Sequence, residues 1–243
     1  MLTIPRINGG DDRKILLIDI ETSPLISYTW GLYEQNVIKR IKTFTILSVA
    51  YQWLGSKTQV IACDDQSELS LLKKLHKILS EAEIVIAHNG DSFDVKKINA
   101  RLIVHNLPPP SPYQTVDTKK VAKQVAMFDS NSLNNLGIDM AEGEKIKHRG
   151  FDMWEGCMAG NPKDWADMKR YNKQDVDLLA RIYLRLRPWM KNHPDLRGTP
   201  NKCPKCFSGN IISKGVFRGA TKSRQRLRCK DCGGWFRGAF IKQ

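Results

Sequence analysis

The chain has 243 residues, 41% of them hydrophobic, which is enough to bury one sizeable core and leaves room for a small second domain. No apolar stretch approaches the ~18–20 residues of a membrane span, and Met1–Arg13 lacks the apolar core of a signal peptide, so we expect a cytoplasmic protein with no membrane partner. The formal charge of +14 is concentrated at one end, because residues 197–243 hold 12 lysines and arginines against one acid, whereas residues 1–196 hold 27 against 24. So basic a tail predicts a polyanionic partner, and nucleic acid fits best.

The first predicted strand, Ile15–Ile20, is a run of apolar and β-branched residues typical of a strand buried on both faces. Asp19 and Glu21 lie two positions apart at its end, so both side chains project from the same face. Two ionised carboxylates buried side by side repel each other and are costly to desolvate. A divalent cation between them removes this conflict. The alternative is an exposed strand end with two solvated acids.

The following elements predict an α/β fold in which a mixed sheet is flanked by helices, because strands come first and then alternate with helices. The first three strands form an antiparallel meander. The stretch Gly143–Gly160 has no clear period and is predicted to be a surface loop with a helical turn around Met153. The last helix has a possible break before Tyr171. The other predicted strands are Ile46–Trp53, Gln59–Cys63, Glu83–Ala87 and Thr115–Asp117, and the predicted helices are Ser67–Ser80, Phe93–Asn106, 118–125, Ser130–Leu136 and Asn161 to about Met190.

Two later stretches carry polar side chains that the fold can bring to the first two acids. Asp94 begins a helix after a buried strand, where the helix dipole favours a carboxylate and where ligands of α/β folds gather. Tyr171 and Asp175 are four residues apart, so they share one face of a helix, and the apolar positions that follow turn this face partly inward. Taken singly, each of these residues also has an ordinary structural interpretation.

Together the stretches form an ordered set: Asp-x-Glu, an aspartate after Asn-x₃-Phe, and Tyr-x₃-Asp, about 75 and 80 residues apart. This set resembles the DEDD superfamily of 3′–5′ exonucleases in its tyrosine-bearing branch, and it is most similar to phage-type predicted exonucleases related to the proofreading domain of family B DNA polymerases. The resemblance covers roughly Ile15–Met190 and implies a ribonuclease-H-like fold in the cytoplasm of a bacterial or phage-infected host cell. Its looser features are Ile20–Pro24, Trp30–Tyr33, Val116–Thr118 and Ser132–Leu136.

The resemblance implies a two-metal-ion mechanism that releases nucleoside monophosphates. It assigns Asp19, Glu21, Asp94 and Asp175 to two divalent ions and Tyr171 to the attacking water. Oxygen-only ligands suit Mg²⁺ or Mn²⁺, and a two-metal site stabilises both the entering and the leaving oxygen of an in-line displacement. A phenol with a pKa of ~10 is better suited to orienting the water than to deprotonating it.

Asn89, Phe93 and Trp30 are candidates for contacting the terminal nucleotide by hydrogen bonding or stacking. Core packing is the alternative for Phe93 and Trp30. Asp117 is left outside the site as a residue behind the acids or as a strand-end turn residue. His88 is also left outside, since the histidine-bearing branch of the superfamily places its base five residues before the last acid, where this chain has no histidine.

Four of the six cysteines form two Cys-x-x-Cys pairs that enclose 22 residues with hairpin character, at Ile211–Phe217 and Gln225–Leu227. The pairs are Cys203 with Cys206 and Cys229 with Cys232. This pattern resembles a zinc ribbon, whose two knuckles hold one structural Zn²⁺ tetrahedrally. A segment of about 47 residues with so few large apolar groups could hardly fold without the metal.

The predicted organisation is therefore a ribonuclease-H-like exonuclease domain at 1–196 and a small zinc-ribbon β domain at 197–243. Arg224, Arg226 and Arg228 are interleaved with aromatic residues and are predicted to bind single-stranded or 3′-ended DNA. A solvated basic face, or a ribbon that docks a replication or repair protein, remains the alternative.

Two other functions stay open at this point. A transposase or resolvase also joins a ribonuclease-H-like core to a ribbon, but it gives no reason for Asp-x-Glu on one strand or for Tyr171-x₃-Asp175. A non-enzymatic zinc-ribbon adaptor with a degenerate core gives no reason for four retained acids. The sequence leaves open the preference for DNA or RNA and for single or double strands.

Overall fold

The computed structural model describes residues 14–33, 36–65, 67–195, 201–220 and 222–241. The main body contains a five-stranded mixed sheet in the order β5-β4-β1-β6-β7, and a second, three-stranded sheet lies near the C-terminus. The described strands are β1 (Ile15–Thr22), β2 (Ile26–Tyr28), β3 (Lys39–Lys42), β4 (Ile46–Trp53), β5 (Gln59–Ala62), β6 (Ile84–Ala87), β7 (Gln114–Asp117), β8 (Ile211–Arg218), β9 (Ser223–Cys229) and β10 (Trp235–Phe240).

Helices flank the main sheet, as predicted. In the described residues they are α1 (Glu68–Glu81), α2 (Asp94–Val104), α3 (Thr118–Val125), α4 (Leu133–Asp139), α5 (Phe151–Met158) and α6 (Pro162–Leu186), followed by a 3₁₀ turn at Arg187–Trp189. No helix in these parts of the chain is long and apolar enough to cross a membrane.

The predicted meander is confirmed, because β1, β4 and β5 pair antiparallel in that order, whereas β6 and β7 continue the sheet in parallel. The side chains of β1 alternate between two separate cores. Leu16 and Ile18 pack on the face covered by α1 and α2, and Leu17 packs on the face covered by α6. Asp19 and Glu21 continue the register of Leu17. The period of the strand therefore directs both acids towards α6.

Three helix predictions need correction. The helix predicted at Ser130–Leu136 begins later, since the side chain of Ser132 caps α4 by accepting from the amide of Asn135, and α4 continues through Gly137. The last helix has no break before Tyr171, because α6 runs unbroken for 25 residues behind the predicted cap Asn161.

The third correction concerns the stretch predicted as a surface loop. It contains the eight-residue helix α5, whose Met153 and Cys157 are buried against α6 and the β4–β5 edge. α5 is only eight residues long, too short for its apolar residues to establish a helical period, so its placement depends on packing with α6.

The described ribbon segment contains three strands in the order β10-β9-β8, of which the sequence predicted β8 and β9. β10 was missed because its glycine and arginine interrupt the apolar alternation that marks a strand. Residues 196–200, where the domain boundary was predicted, lie outside the described residues, so this division stays a prediction.

Candidate active site and metal centres

Three of the predicted carboxylates meet at one edge of the main sheet. Asp19 and Glu21 lie at the end of β1, opposite Ala50 and Ser48 of β4, and Asp175 lies on the buried face of α6. One oxygen from each carboxylate lies within 4.8 Å of the others. The two-residue period of the strand and the inward face of the helix therefore produce the cluster that the sequence predicted.

The fourth acid, Asp94, is the first residue of α2 and is almost fully buried. Its Oδ1 accepts a hydrogen bond from the backbone amide of Ile20 at 3.1 Å. Ile20 separates Asp19 from Glu21 in β1, so this bond holds the Asp94 carboxylate beside the strand that carries both acids. Gly90 permits the tight β6–α2 turn, since a Cβ at this position would lie 2.3 Å from Cβ of Ala87. Asp94 stands outside the 4.8 Å group but close enough for its charge to raise the pKa of Asp19.

A lysine that was not predicted as a site residue reaches into this cluster. Lys145 Nζ lies 2.6 Å from Asp175 Oδ2 and donates to the Tyr171 hydroxyl at 2.6 Å. It comes from the stretch 143–160, so treating that stretch as surface was wrong for function as well as for structure. Lys145 lies in an irregular stretch ahead of a short helix, so nothing in the sequence marks it as a site residue. Only the fold brings it to α6.

A second missed residue is Asn172, which is fully buried directly after Tyr171. Its Nδ2 donates to Asp19 Oδ2 at 2.7 Å, and its Oδ1 accepts from Ser48 Oγ at 2.8 Å. Asn172 therefore links α6 to both β1 and β4. It fixes the orientation of the Asp19 carboxylate and confirms that the polar face of α6 lies against the acid-bearing strand.

Tyr171 is held from its other side by two aromatic rings. The ring centroid of His148 lies 4.7 Å from that of Tyr171 and 5.2 Å from that of Trp154, both with edge-to-face geometry. Edge-to-face pairs restrict ring orientation beyond simple burial. A cavity of about 200 Å³ opens beside these rings and Arg170. The hydroxyl of Tyr171 is therefore aimed at the carboxylates by packing on both sides.

Burial raises the pKa of every acid in the cluster, and repulsion from neighbouring cluster acids adds to this effect for Asp19 and Glu21. Burial, together with Asp175 and Asp94, raises the pKa of Glu21 to about 8, and burial raises the pKa of Asp94 to about 7. The pKa of Asp19 is raised well above its usual range by burial and by its three acidic neighbours. Burial also raises the pKa of Asp175, against the lowering effect of Lys145. Without a further cation, the cluster therefore retains protons near neutral pH.

Burial, followed by the charge of Asp175, raises the pKa of the Tyr171 phenol, so it remains protonated at neutral pH. Burial lowers the pKa of Lys145, but the ion pair with Asp175 and the hydrogen bond to Tyr171 more than offset this effect, and the amine stays charged. The site thus combines a neutral hydroxyl and a fixed ammonium with four acids.

The donor set fits divalent cations such as Mg²⁺ or Mn²⁺, which prefer oxygen ligands. Asp175 Oδ1 is buried and has no hydrogen-bond partner among the described residues, so it is available to bind a cation. Lys145 supplies a single positive charge to the cluster of Asp19, Glu21 and Asp175. Its contact with the opposite oxygen, Oδ2, leaves Oδ1 available.

Two of the three candidate substrate residues, Asn89 and Phe93, lie just before Asp94 in the β6–α2 turn. Asn89 is half-buried in the β6–α2 turn with a left-handed backbone (φ 67°), which asparagine tolerates better than most residues. Phe93 directly precedes Asp94 and is 39% exposed. Trp30 is 85% exposed, so core packing is wrong for this residue. Substrate contact by all three stays a proposal.

Two residues that the sequence analysis left outside the site, Asp117 and His88, form hydrogen bonds that fix the segments next to it. Asp117 Oδ1 accepts from the backbone amides of Asn89, Lys119 and Lys120, so it caps α3 and fixes the β6–α2 turn. The ring nitrogens of His88 contact Thr118 Oγ1 and the carbonyl of Asn131. Burial lowers the pKa of His88 to about 4, so its imidazole is a neutral tether at physiological pH.

The four cysteines of the ribbon also converge, with their sulfurs within 4.8 Å of one another. Sγ atoms lie 3.8 Å apart for Cys203 and Cys232 and 3.6 Å apart for Cys206 and Cys229. Four thiolates at ~2.3 Å from a tetrahedral zinc ion lie about 3.8 Å apart. The observed spacing therefore fits one Zn²⁺.

The two knuckles have the same backbone design. In each, the residue four positions after the first cysteine has a left-handed backbone and donates its amide to that cysteine's carbonyl. Gly233 fills this position in the second knuckle at no cost, whereas Phe207 fills it in the first. The side chain of Phe207 lies under Lys202, with Nζ 3.5 Å from the ring centroid.

Arg224, Arg226 and Arg228 alternate along β9 and so share one face of the ribbon. Arg226 lies directly opposite Arg237 of β10, a like-charge pair that destabilises the free sheet. Aromatic rings separate the charges, since the guanidinium carbon of Arg224 lies 3.8 Å from the ring centroid of Phe240, and Arg226 and Arg228 both lie over Trp235. An ordered row of cations and rings suits a polyanion.

Comparison with known proteins agrees with this geometry. Residues 16–187 match the family model RNase_H_2 of the RNase_H superfamily. The family B DNA polymerase from the hyperthermophilic archaeon Pyrobaculum calidifontis has a similar structure, with a TM-score of 0.57 and 13% sequence identity over 72% of this chain. The match spans only 25% of that polymerase, and at this identity it shows a shared fold. No curated protein sequence matches the chain. The predicted ribonuclease-H-like fold is confirmed, and both matches support the resemblance to DEDD-type exonucleases.

The raised pKa values predict how the metal-free protein responds to pH. Carboxyl groups titrate near 4 in the unfolded chain, but Glu21 at about 8 and Asp94 at about 7 in the folded one, so the folded state binds more protons and loses stability as pH rises from about 4 to about 8. Asp19→Asn removes one repelling charge. In EDTA it should raise the melting temperature more at pH 8 than at pH 5.

Thermal melts at both pH values test this prediction, with Asp129→Asn in the exposed loop after α3 as the matched control. Adding Mg²⁺ or Mn²⁺ at pH 8 should raise the melting temperature of the wild type and much less that of Asp19→Asn. An equal gain at both pH values would show that the substitution acts through packing and not through the charge cluster.

Proposed function

Since the chain belongs to the RNase H superfamily, we propose that it is a metal-dependent 3′–5′ exonuclease of DNA, with RNA as the alternative substrate. The family and the fold support a nuclease that hydrolyses phosphodiester bonds. The observation that carries the finer proposal is the convergence of Asp19, Glu21 and Asp175 beside Asp94, with Tyr171 directed at them. This is the set that the tyrosine-bearing exonucleases require, in the same chain order.

Asp19, Glu21, Asp94 and Asp175 would hold two Mg²⁺ or Mn²⁺ ions. When bound, such ions activate a water molecule and stabilise the charge on the leaving 3′ oxygen. The carboxylates provide the fixed negative charge for this task, and Asn172 keeps Asp19 oriented while the charge of the site changes. No solvent reorganisation is needed to form this arrangement, because α6 and β1 are packed before substrate arrives.

Tyr171 and Lys145 act as a pair. Because Lys145 donates to the phenolic oxygen, and because the phenol stays protonated, Tyr171 orients the attacking water by hydrogen bonding and does not remove its proton. Once other cations neutralise Asp175, the ammonium of Lys145 is free to meet the phosphate oxygens of the scissile bond. The positive charge of Lys145 thus offsets the charge of the acids before substrate binds and the charge of the phosphate afterwards.

The proposed division of labour places chemistry in 1–196 and nucleic-acid binding in the zinc ribbon, 197–243. Support comes from the arginine and aromatic face of β9 and β10, and from its single acid, Asp231, which is engaged with Ser208 and Asn210. The ribbon would hold single-stranded or 3′-ended DNA near the acids. A replication or repair protein as partner also stays a prediction.

The direct test uses oligonucleotides labelled at the 5′ end, as single-stranded DNA, duplex DNA and RNA, with Mg²⁺, Mn²⁺ or EDTA. We expect stepwise shortening from the 3′ end with release of mononucleotides, no reaction in EDTA, and a loss of several orders of magnitude in Asp19→Asn and Asp175→Asn. Asp129→Asn is the matched control. Strand-transfer products would point to a transposase or resolvase, and an inactive wild type that still binds DNA would point to an adaptor.

Tyr171→Phe keeps the ring between His148 and Trp154 but removes the hydroxyl. The expected cost is ~10–10³-fold in the chemical step with little change in substrate binding, because a positioning contact acts mainly in the transition state. Lys145→Gln should also slow the reaction. Since the two side chains share one hydrogen bond, the double variant should lose less than the product of the single losses.

Single-turnover rates at saturating enzyme measure these effects. Lys147→Gln, an exposed neighbour with the same charge change, is the control and should retain the wild-type rate. An unchanged rate in Tyr171→Phe would leave this residue a packing role only, and strictly multiplicative losses would mean that the two residues act separately.

The ribbon proposal predicts a change in salt dependence. Changing Arg224, Arg226 and Arg228 together to Gln should flatten the slope of log affinity against log salt by roughly 2 units, since each phosphate contact on a single strand contributes ~0.7. Anisotropy titrations in an Asp19→Asn background with EDTA measure binding without degradation, and zinc content should stay at one ion per chain.

The control variant changes Lys73, Lys74 and Lys77 on α1 to Gln, which removes the same charge from another surface. Its salt slope should match that of the wild type. If the ribbon variant also keeps the wild-type slope, the ribbon is a protein-docking or purely structural module.

A further inference from the structure

The hairpin of β2 and β3 stands apart from both cores. It was not predicted as a pair of strands, and every described side chain in it is exposed or half-buried. Tyr28 is 61%, Trp30 85% and Tyr33 95% exposed. The other exposed apolar residues of the segment are Leu25, Ile26, Leu32, Val37, Ile38 and Ile41. An apolar surface this concentrated marks an interaction site.

An isolated two-stranded hairpin is only marginally stable in water. This one is anchored at its base, where Ser23 and Thr45 exchange backbone and side-chain hydrogen bonds of 2.8–3.1 Å. Beyond the base, its described strands pair with each other. Because its aromatic rings are exposed to solvent, the hairpin would be stabilised by a partner that covers them.

The charges of the hairpin indicate the chemistry of that partner. Lys39, Arg40 and Lys42 are exposed along β3, and Tyr28 pairs directly opposite Lys39. Within residues 22–45 the sequence holds these three cations and one acid, Glu34. Rings beside cations suit the planar bases and phosphates of a nucleic acid. The same cations oppose pairing with a second copy of the chain.

The hairpin is joined to the end of β1 that carries the acids. β2 begins five residues after Glu21, and at ~3.3 Å per residue the chain from Glu21 to Tyr28 spans at most ~23 Å. Seven stacked nucleotides of one strand span a similar length, at ~3.4 Å each. An open groove of about 570 Å³ is lined by Leu25, Thr29, Trp30 and Val37 among others, which is large enough for a base and its sugar.

We propose that the β2–β3 hairpin, residues 25–33 and 36–42, is an arm that binds the single-stranded part of the substrate, several nucleotides from the scissile bond. Trp30, Tyr28 and Tyr33 stack on unpaired bases, and the cations of β3 contact the phosphates. Duplex bases offer no free faces, so the arm favours open strands. This inference rests on the proposed exonuclease function and assigns its substrate form.

Three variants of the 243-residue chain separate stacking from charge. Trp30→Ala with Tyr33→Ala should weaken binding of a 16-nucleotide single strand about 10- to 100-fold without changing the salt slope. Trp30→Phe with Tyr33→Phe should recover most of the affinity. Lys39→Gln with Arg40→Gln and Lys42→Gln should instead flatten the slope by roughly 2 units. Affinity for a blunt duplex should change less than affinity for the single strand in each variant.

Binding is measured by anisotropy in the Asp19→Asn background with EDTA, so it does not depend on catalysis. The α1 variant of Lys73, Lys74 and Lys77 is the charge control, and unchanged melting curves confirm folding. If wild-type protein releases mononucleotides but the arm variants bind single strands normally, the arm is wrong and the exonuclease proposal stands. If binding depends on the arm but the wild type releases no mononucleotide, the arm stands and the exonuclease proposal is wrong. A change in oligomeric state with normal nucleic-acid affinity would overturn the arm and identify a contact between copies.

Discussion

The structure of the site depends on one electrostatic conflict, the burial of four carboxylates at the end of β1. Asp19, Glu21 and Asp175 come within 4.8 Å of one another; burial raises the pKa of all three, and the charges of neighbouring acids raise those of Asp19 and Glu21 further. A protein selected for stability alone would place apolar side chains here, since unpaired buried charge is destabilising. The ammonium of Lys145 relieves one charge only, and the repulsion that remains favours the binding of cations. In the proposed metal site, the same repulsion that destabilises the free protein would supply the affinity for metal.

The rest of the body serves to keep that conflict in place. β1 pairs with β6 in parallel at its start, Ile15–Leu17, and with β4 antiparallel through Thr22, so hydrogen bonds to β4 hold its acid-bearing end in the sheet. α6 lies across it as one unbroken helix, and the fully buried Asn172 ties it to Asp19 and, through Ser48, to β4. Rigid elements hold catalytic groups more accurately than loops do. Lys145 comes from an irregular segment instead, so it is the group of the site that would have to adjust when substrate enters.

The difference between what the sequence predicted and what it missed follows from this division. Asp19, Glu21, Tyr171 and Asp175 lie on elements with a strict period, so their common face could be derived from spacing alone, and Asp94 could be placed by its position at a helix start. Lys145 could not be found in this way. Its position depends on the packing of α5 against α6, and the residues around it show no apolar periodicity. The β2–β3 hairpin was missed for the opposite reason. Its apolar residues face solvent, so they do not alternate as a strand packed on a core does.

Charge is divided between regions in a way that suits a nuclease. Residues 1–196 carry a surplus of only +3, and the acids at the sheet edge repel phosphate until cations neutralise them. A strand that approaches this edge must therefore be held elsewhere first. The described chain offers two cationic surfaces with interleaved rings, β3 of the hairpin and β9 of the ribbon, and neither lies among the acids. These outer surfaces would contact nucleotides along a long substrate, whereas the acids would act on one bond. In the proposed exonuclease, separating the two would let the strand advance after each cleavage without leaving the protein, because the outer contacts would not be broken together with the scissile bond.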